Sequence, residues 1–371
     1  MRFFRALVLA GLLSASGSAD QSIQPELDAA LLRVNNDPDS EAARLDLGSQ
    51  YLRIGQYRAA AETLQQYLAK HPGAGKPLRL LALSRLQQED YKAAREAAEL
   101  ALRNTPRDAA SVQILAMANL GLQDTKAAER LFREAIQLDP NLADAHFQLG
   151  LLYANKGENL PQAIRWLERA RGLQPGTAGV YTALGAALLK SGDARRAAQS
   201  FEIAVKLAPD STESFYQLSA AYRQLKLPAK ADEAMAAFNA LSKTRAEERA
   251  RDMRSRAAYE EGLNLLANST ELDKAYGLFA RAVADVPNMD AGYYRMAQVS
   301  YLKGDVARAL VSIREALRLN PLEAEYHYVL ARCLEPSDPA GAEAAVEKAI
   351  SIRAGVADFE ELRGDLRRRR R

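Results

Sequence analysis

The chain has 371 residues, 48% of them hydrophobic and 26% charged, which is too apolar for a disordered chain and sufficient for a large folded body. Its 50 basic and 47 acidic side chains leave a net charge of +3, so whole-chain charge gives no argument for a nucleic-acid binder. A single cysteine, Cys333, excludes an internal disulfide, and the fold must hold by packing.

In chain order, residues 1–19 carry the pattern of a secretory signal. Arg2 and Arg5 precede the apolar run Ala6 to Leu13, and Gly17 and Ala19 stand at the −3 and −1 places of a cleavage site. The run is far shorter than the ~20 residues of a membrane-spanning helix, which sets cleavage near Ala19-Asp20 and a periplasmic or otherwise exported mature chain against the alternative of a retained anchor. Residues 20–40 hold a capping helix over 25–36. From there a ladder of prolines marks helix ends. Pro38, Pro72, Pro106 and Pro140 are 34 residues apart, Pro175 follows after 35 and Pro209 after 34, and Pro287 and Pro321 are again 34 apart. Small residues sit twelve before each proline (Ala60, Ala94, Ala128, Ala163, Ala197, Ala275, Ala309), and a larger hydrophobe sits eight before most (Leu64, Phe132, Leu167, Phe201, Phe279, Ile313). A small residue admits a close helix approach, and the larger one fills the space beside it. Leu47-Gly48, Leu149-Gly150 and Leu184-Gly185 lie upstream. Gly55, Gly157, Gly192 and Gly304 fall where a first helix must end in a turn.

This pattern resembles the tetratricopeptide repeat family in period, helix-turn-helix rhythm and the Leu-Gly…Tyr…Ala…Phe…Ala…Pro signature. The resemblance implies an all-α, right-handed superhelical solenoid of about nine units. Six units are expected over 41–245, a helical spacer over 246–255, three units over 256–356, and a closing helix with an Arg-rich tail over 357–371. The second, third and ninth units lack the Gly of the Leu-Gly pair and are expected to close less tightly. Between Pro209 and Pro287 no Gly or Pro interrupts 229–261, and the interleaved charges there predict a long, exposed helix.

No enzyme chemistry is legible. His71, His146 and His327 have no partner at metal-ligand spacing, and no phosphate loop, dinucleotide fingerprint or nucleophile elbow appears. Neither metal nor other cofactor is expected, nor a small-molecule substrate, nor nucleic acid. In the family this chain resembles, the fifth and ninth positions of each unit face a groove that holds a partner segment. Here the resemblance puts Glu260 and Asn264 at those positions in the seventh unit, and it implies a groove built by Leu83, Met117, Phe147, Leu151, Tyr216, Tyr294, Tyr301 and Tyr328. The alternative for each is packing between repeats. Trp166 falls at a non-core position, either as an exposed contact or against its neighbouring turn. Arg367, Arg368, Arg369, Arg370 and Arg371 repel one another, so the end is expected to fray, either as solvated charge or as a weak contact with an anionic surface. The function implied is an exported protein-binding scaffold serving an envelope machine (secretion, pilus or exopolysaccharide). The alternative is a periplasmic chaperone for unfolded exported clients.

Overall fold

The computed structural model describes residues 20–157, 159–268 and 271–369. Residues 1–19, expected to be a secretory signal, and the last two arginines, Arg370 and Arg371, lie outside the described residues. Nineteen α-helices and no strand make up the regular structure of the described residues, as the repeat pattern requires. They gather into two compact units divided between Leu241 and Ser242.

The first unit opens with α1 (Asp20–Asn36). Hairpins follow: α2 (Glu41–Arg53) with α3 (Tyr57–Leu68), α4 (Gly75–Gln87) with α5 (Tyr91–Asn104), α6 (Ala109–Gly121) with α7 (Thr125–Leu138), α8 (Ala143–Lys156) with α9 (Leu160–Leu173), and α10 (Ala178–Lys190) with α11 (Ala194–Leu207). Then come α12 (Thr212–Gln224) and the start of α13 (Pro228–Asn268). Each of α1 to α11 packs on the next. First helices also touch one another in two runs, α2 on α4 and α4 on α6, then α8 on α10 and α10 on α12. The second unit holds the rest of α13, then α14 (Leu272–Asp285), α15 (Asp290–Leu302), α16 (Val306–Leu319), α17 (Ala324–Leu334), α18 (Pro339–Ile352) and α19 (Ala357–Arg369). Its first helices α15 and α17 are likewise in contact.

One rule closes the hairpins. The eighth residue of a first helix is small and buried: Gly48, Ala82, Ala116, Gly150, Gly185, Ser219, Gly262, Ala297 and Ala331. A large residue of the second helix covers it; Leu64, Phe132, Leu167, Phe201, Phe279, Ile313 and Val346 are all fully buried. At Gly185 an added Cβ would stand 2.7 Å from the Phe201 ring, and at Gly150 2.5 Å from Leu167 Cγ. The units without Gly do not close loosely, contrary to expectation. Ala82, Ala116 and Ala331 are each 0% exposed, so a methyl group is fully enclosed at these positions.

The turns inside hairpins follow a second rule. In several of them one residue takes a left-handed backbone, and the next caps the following helix. Glycine takes the turn at Gly192 (φ 91°) and Gly304 (φ 77°), whereas Glu89, Gln123 and Lys226 adopt φ of 59°, 66° and 58° without being glycine. The following Asp90, Asp124, Asp193 and Asp305 each accept a hydrogen bond from a backbone N–H three residues on, at 3.0–3.2 Å. Such a cap answers donors a helix start leaves unpaired.

Helix α13 is unbroken for 41 residues and runs straight through 246–255, where no Gly or Pro stops it. Ser255 is its one fully buried polar residue, its hydroxyl donating to Ala282 O at 2.8 Å. A Cβ added at Gly262 would stand 2.8 Å from the Phe279 ring, as one at Gly150 would crowd Leu167. The seventh unit therefore begins at 255 rather than 256. Its fifth and ninth residues are Tyr259 and Leu263, both half-buried, while Glu260 and Asn264 are displaced from those positions.

Both ends are covered. Leu27, Ala30 and Val34 of α1 are buried, as are Phe359, Leu362 and Leu366 of α19, one apolar stripe on each. Arg367 to Arg369 do not fray. They continue α19, with Arg367 donating to Glu343 (3.2 Å) and Glu347 (2.7 Å) and Arg369 to Glu335 (2.8 Å), while Arg368 pairs with Asp365. Acids of α18, of the α17–α18 turn and of α19 itself outweigh the mutual repulsion. Cys333 is 0% exposed, and burial pushes its thiol up to about 11. Trp166 is half-buried, its ring 5.4 Å from that of His146, so it is not an exposed contact.

Candidate partner-binding faces

The eight residues expected in one groove divide between the two units. In the first unit, Leu83, Met117 and Leu151 are half-buried against the core and present one side outward. Tyr216 on α12 is 50% exposed, its ring tilted on Phe238 at 5.6 Å. Phe147, expected in the groove, does not stand there. At 7% exposure it belongs to the core between α8 and α10, because its ring turns inward from the fifth position instead of standing on the face. Arg79, at the fifth position of the second hairpin, lies on the same face. Its Nη1 donates to both carboxylate oxygens of Asp108, at 3.0 and 3.1 Å. Asp108 also caps α6 by accepting from Ser111 N at 3.2 Å, so this charge is answered within the structure.

In the second unit, Tyr301 and Tyr328 come together in a cavity of about 520 Å³, lined also by Leu266, Arg295, Gln298, Leu302, Val329 and Arg332. Such a volume lies in the range of ligand pockets. Tyr294 sits one turn from it, accepting from Gln298 Nε2 at 2.8 Å and stacking on Tyr326 at 4.8 Å. Burial pushes the phenols of Tyr294 and Tyr328 up, so both remain neutral. Tyr328 leans on Phe359 of the closing helix, ring to ring at 5.1 Å. Arg295 and Leu302 were missed in the sequence, and Leu266 reaches this place only with the unit begun at 255. The signal for that start was present, since Gly262 and Phe279 stand seventeen residues apart, like Gly150 and Leu167.

An acidic group flanks the N-terminus of α17. Arg353 pairs with both Glu323 and Glu325. Tyr326 donates to Asp290 at 3.1 Å. The hydrogen bond shared with Glu325, then burial, pushes the Glu323 carboxyl up to about 7. Among the described residues no three His, Cys, Asp or Glu side chains gather as metal ligands, and no described helix is long and apolar enough to cross a membrane.

Stacked helical hairpins, sealed at both ends and offering a side of aligned first helices, define a helical-repeat binding protein. The tetratricopeptide repeat model matches residues 45–109, 182–244 and 294–357, more than half of the chain, and a second TPR repeat model matches 122–157. The chain belongs to the tetratricopeptide repeat family.

Three solved structures show what it is similar to. MamA from Desulfovibrio magneticus RS-1 (residues 41 to the end) is 19% identical, over 46% of this chain and 96% of that one, with a TM-score of 0.42. TTC0263, a thermophilic TPR protein of Thermus thermophilus, is 25% identical over 50% and 100%, also at 0.42. YrrB, described as a TPR protein with an unusual peptide-binding site, is 19% identical over 51% and 96%, at 0.39. No curated protein sequence matches the chain.

Proposed function

We propose that this protein is an exported scaffold that holds a segment of a partner protein against its first helices, in support of an envelope machine such as a secretion, pilus or exopolysaccharide system. The observation that carries the binding part is the row Leu83, Met117, Leu151 and Tyr216. These apolar or aromatic side chains stand on four first helices of one unit and keep part of their surface open to solvent. Large apolar side chains left partly uncovered on several first helices of one unit suit a segment with repeated apolar anchors. The export part rests on the arginines, apolar run and small residues of 1–19.

Photocrosslinking in cells tests binding, with the photoreactive residue at 216. A scaffold yields one stoichiometric adduct, a chaperone a mixture of clients, and no adduct at 216 removes this face from consideration. Fractionation with mass spectrometry of the N-terminus tests export. A mature chain beginning near Asp20 in the envelope fraction supports it, and an intact N-terminus in the cytoplasm refutes it.

A further inference from the structure

We infer that the cavity between α13, α15 and α17 receives a partner segment in which acidic side chains flank an apolar one. The inference rests on the proposal that first-helix faces of this chain bind partners, and it supplies the chemistry of the occupant for the second unit.

The lining holds two guanidinium groups and no carboxylate. Arg295 is held in place entirely by neutral groups. Its Nη1 donates to Gln298 Oε1 at 2.8 Å, its Nε points to the Tyr259 hydroxyl at 3.4 Å, and its guanidinium lies 5.1 Å from the centre of the Tyr294 ring. Arg332 donates from Nη2 to the Tyr301 hydroxyl at 3.3 Å. Arg332 forms an ion pair with Glu335 at 3.7 Å, but Glu335 also accepts from Arg369 at 2.8 Å, so two cations share one acid. Elsewhere in this unit Arg254, Arg318, Arg353, Arg363 and Arg367 each lie in a closer ion pair with an acid. In the cavity Arg295 is oriented with no acid in contact, and Arg332 only shares one. A guanidinium fixed in advance by neutral contacts makes a short, charge-assisted bond to a carboxylate with little further ordering.

The rest of the lining sets the remaining chemistry. Leu266, Leu302, Val329 and the two tyrosine rings are apolar surface, and Leu302 is 59% exposed at the rim. A wholly apolar occupant would cover Arg295 and leave its charge unanswered, which is costly. A wholly acidic one would leave the apolar wall wet. Two cations on separate helices ask for more than one carboxylate, which an internal run of Asp or Glu around an apolar side chain supplies and a lone chain terminus does not.

The probe is a fluorescent peptide, blocked at both ends, with a Trp-Leu core between aspartates. It is titrated against the full chain beside a twin carrying asparagines and a third peptide with the same core, no aspartate and a free C-terminus. The aspartate peptide should bind about tenfold more tightly than its twin, with the gap narrowing in roughly 0.5 M salt. Arg295→Gln and Arg332→Gln should each remove most of that gap, Arg295→Lys should keep part of it, and Leu302→Ser should weaken both peptides alike. Circular dichroism and melting of each variant separate lost binding from lost fold. Equal binding of the twins, or a gap unaffected by both arginine variants, overturns the inference. So does preference for the free C-terminus, or full displacement by inorganic phosphate. If no peptide binds, the occupant is wrong, and crosslinking at 216 in the other unit decides separately whether first-helix faces bind at all.

Discussion

Arg79 and Arg295 stand at neighbouring positions of equivalent first helices, the fifth and the sixth, one in each unit. Arg79 finds both oxygens of Asp108 within 3.1 Å, whereas Arg295 finds an amide, a phenol and a ring face. The two backbones pose the same problem, and the next repeat answers it differently. Asp108 begins the third hairpin, capping α6 while neutralising the arginine. In the second unit the corresponding acids, Glu323 and Glu325 at the start of α17, are taken by Arg353. Arg79 is therefore neutralised by the next repeat, whereas Arg295 keeps its charge among neutral partners. A repeat scaffold can change what it binds through a single inter-repeat ion pair without altering a helix.

The shared framework is where mutation should have its largest effect. Phe201→Ala and Phe279→Ala empty equivalent fully buried sites, and each is expected to cost roughly 3–5 kcal/mol, read from urea unfolding. Hydrogen exchange should then rise first in the unit that carries the lesion. Equal acceleration in both units would show that they do not unfold separately. Next in size is Asp108→Ala, which strips the cap from α6 and the partner from Arg79, for about 1–2 kcal/mol. It should also make the first unit bind the aspartate peptide, bringing that face closer to the other. No gain of acid preference would break the comparison.

A smaller effect concerns pH. The Glu323 carboxyl holds its proton more tightly in the folded state, at about 7 against an ordinary 4.5. That contribution to stability is complete below about 4.5 and is lost as the pH rises through 7. Glu325, lowered in the same pair, works in the opposite sense. Glu323→Gln keeps a neutral hydrogen-bonding group and should flatten the decline between pH 5 and 8. With the side chain 41% exposed, solvent screening limits the gain at the upper end to about 1 kcal/mol or less. Melting temperature against pH reads it, and an unchanged slope would mean Arg353 already neutralises the pair. Smallest is Gln123→Gly, which relieves a left-handed turn at φ 66° for about 0.5 kcal/mol of added stability, again read from urea unfolding. In the second unit Gly304 already fills the equivalent turn.

The helices were legible because each repeat states its own packing. The proline ladder, the alanines twelve residues before it and the facing Leu, Phe or Ile all recur within one hairpin. What lay beyond reading depended on contacts between hairpins. The seventh unit has no proline in front of it and its turn holds one residue more, so counting from the wrong start put Glu260 and Asn264 where Tyr259 and Leu263 belong. Phe147 has the spacing of a surface position and the size of a core residue, and only the neighbouring helix decides between them. The freedom of Arg295 depends on what residues some thirty positions away are doing, which periodicity does not encode. Arg367 to Arg369 looked like uncompensated charge because Glu335, Glu343 and Glu347 lie on the preceding hairpin and reach them only once α19 has docked.

Cys333 has a chemical consequence outside binding. It is the only thiol in the chain, fully buried on α17, and at about 11 its ionisation leaves little thiolate near neutral pH. Attack on disulfides and electrophiles needs the thiolate, so in an oxidising compartment the folded chain should resist mispairing with other thiols. Its alkylation rate becomes a clock for the opening of α17 against α18, advancing only when that hairpin parts. A cysteine introduced on either binding face would react alone, giving each face its own label without removal of the native one.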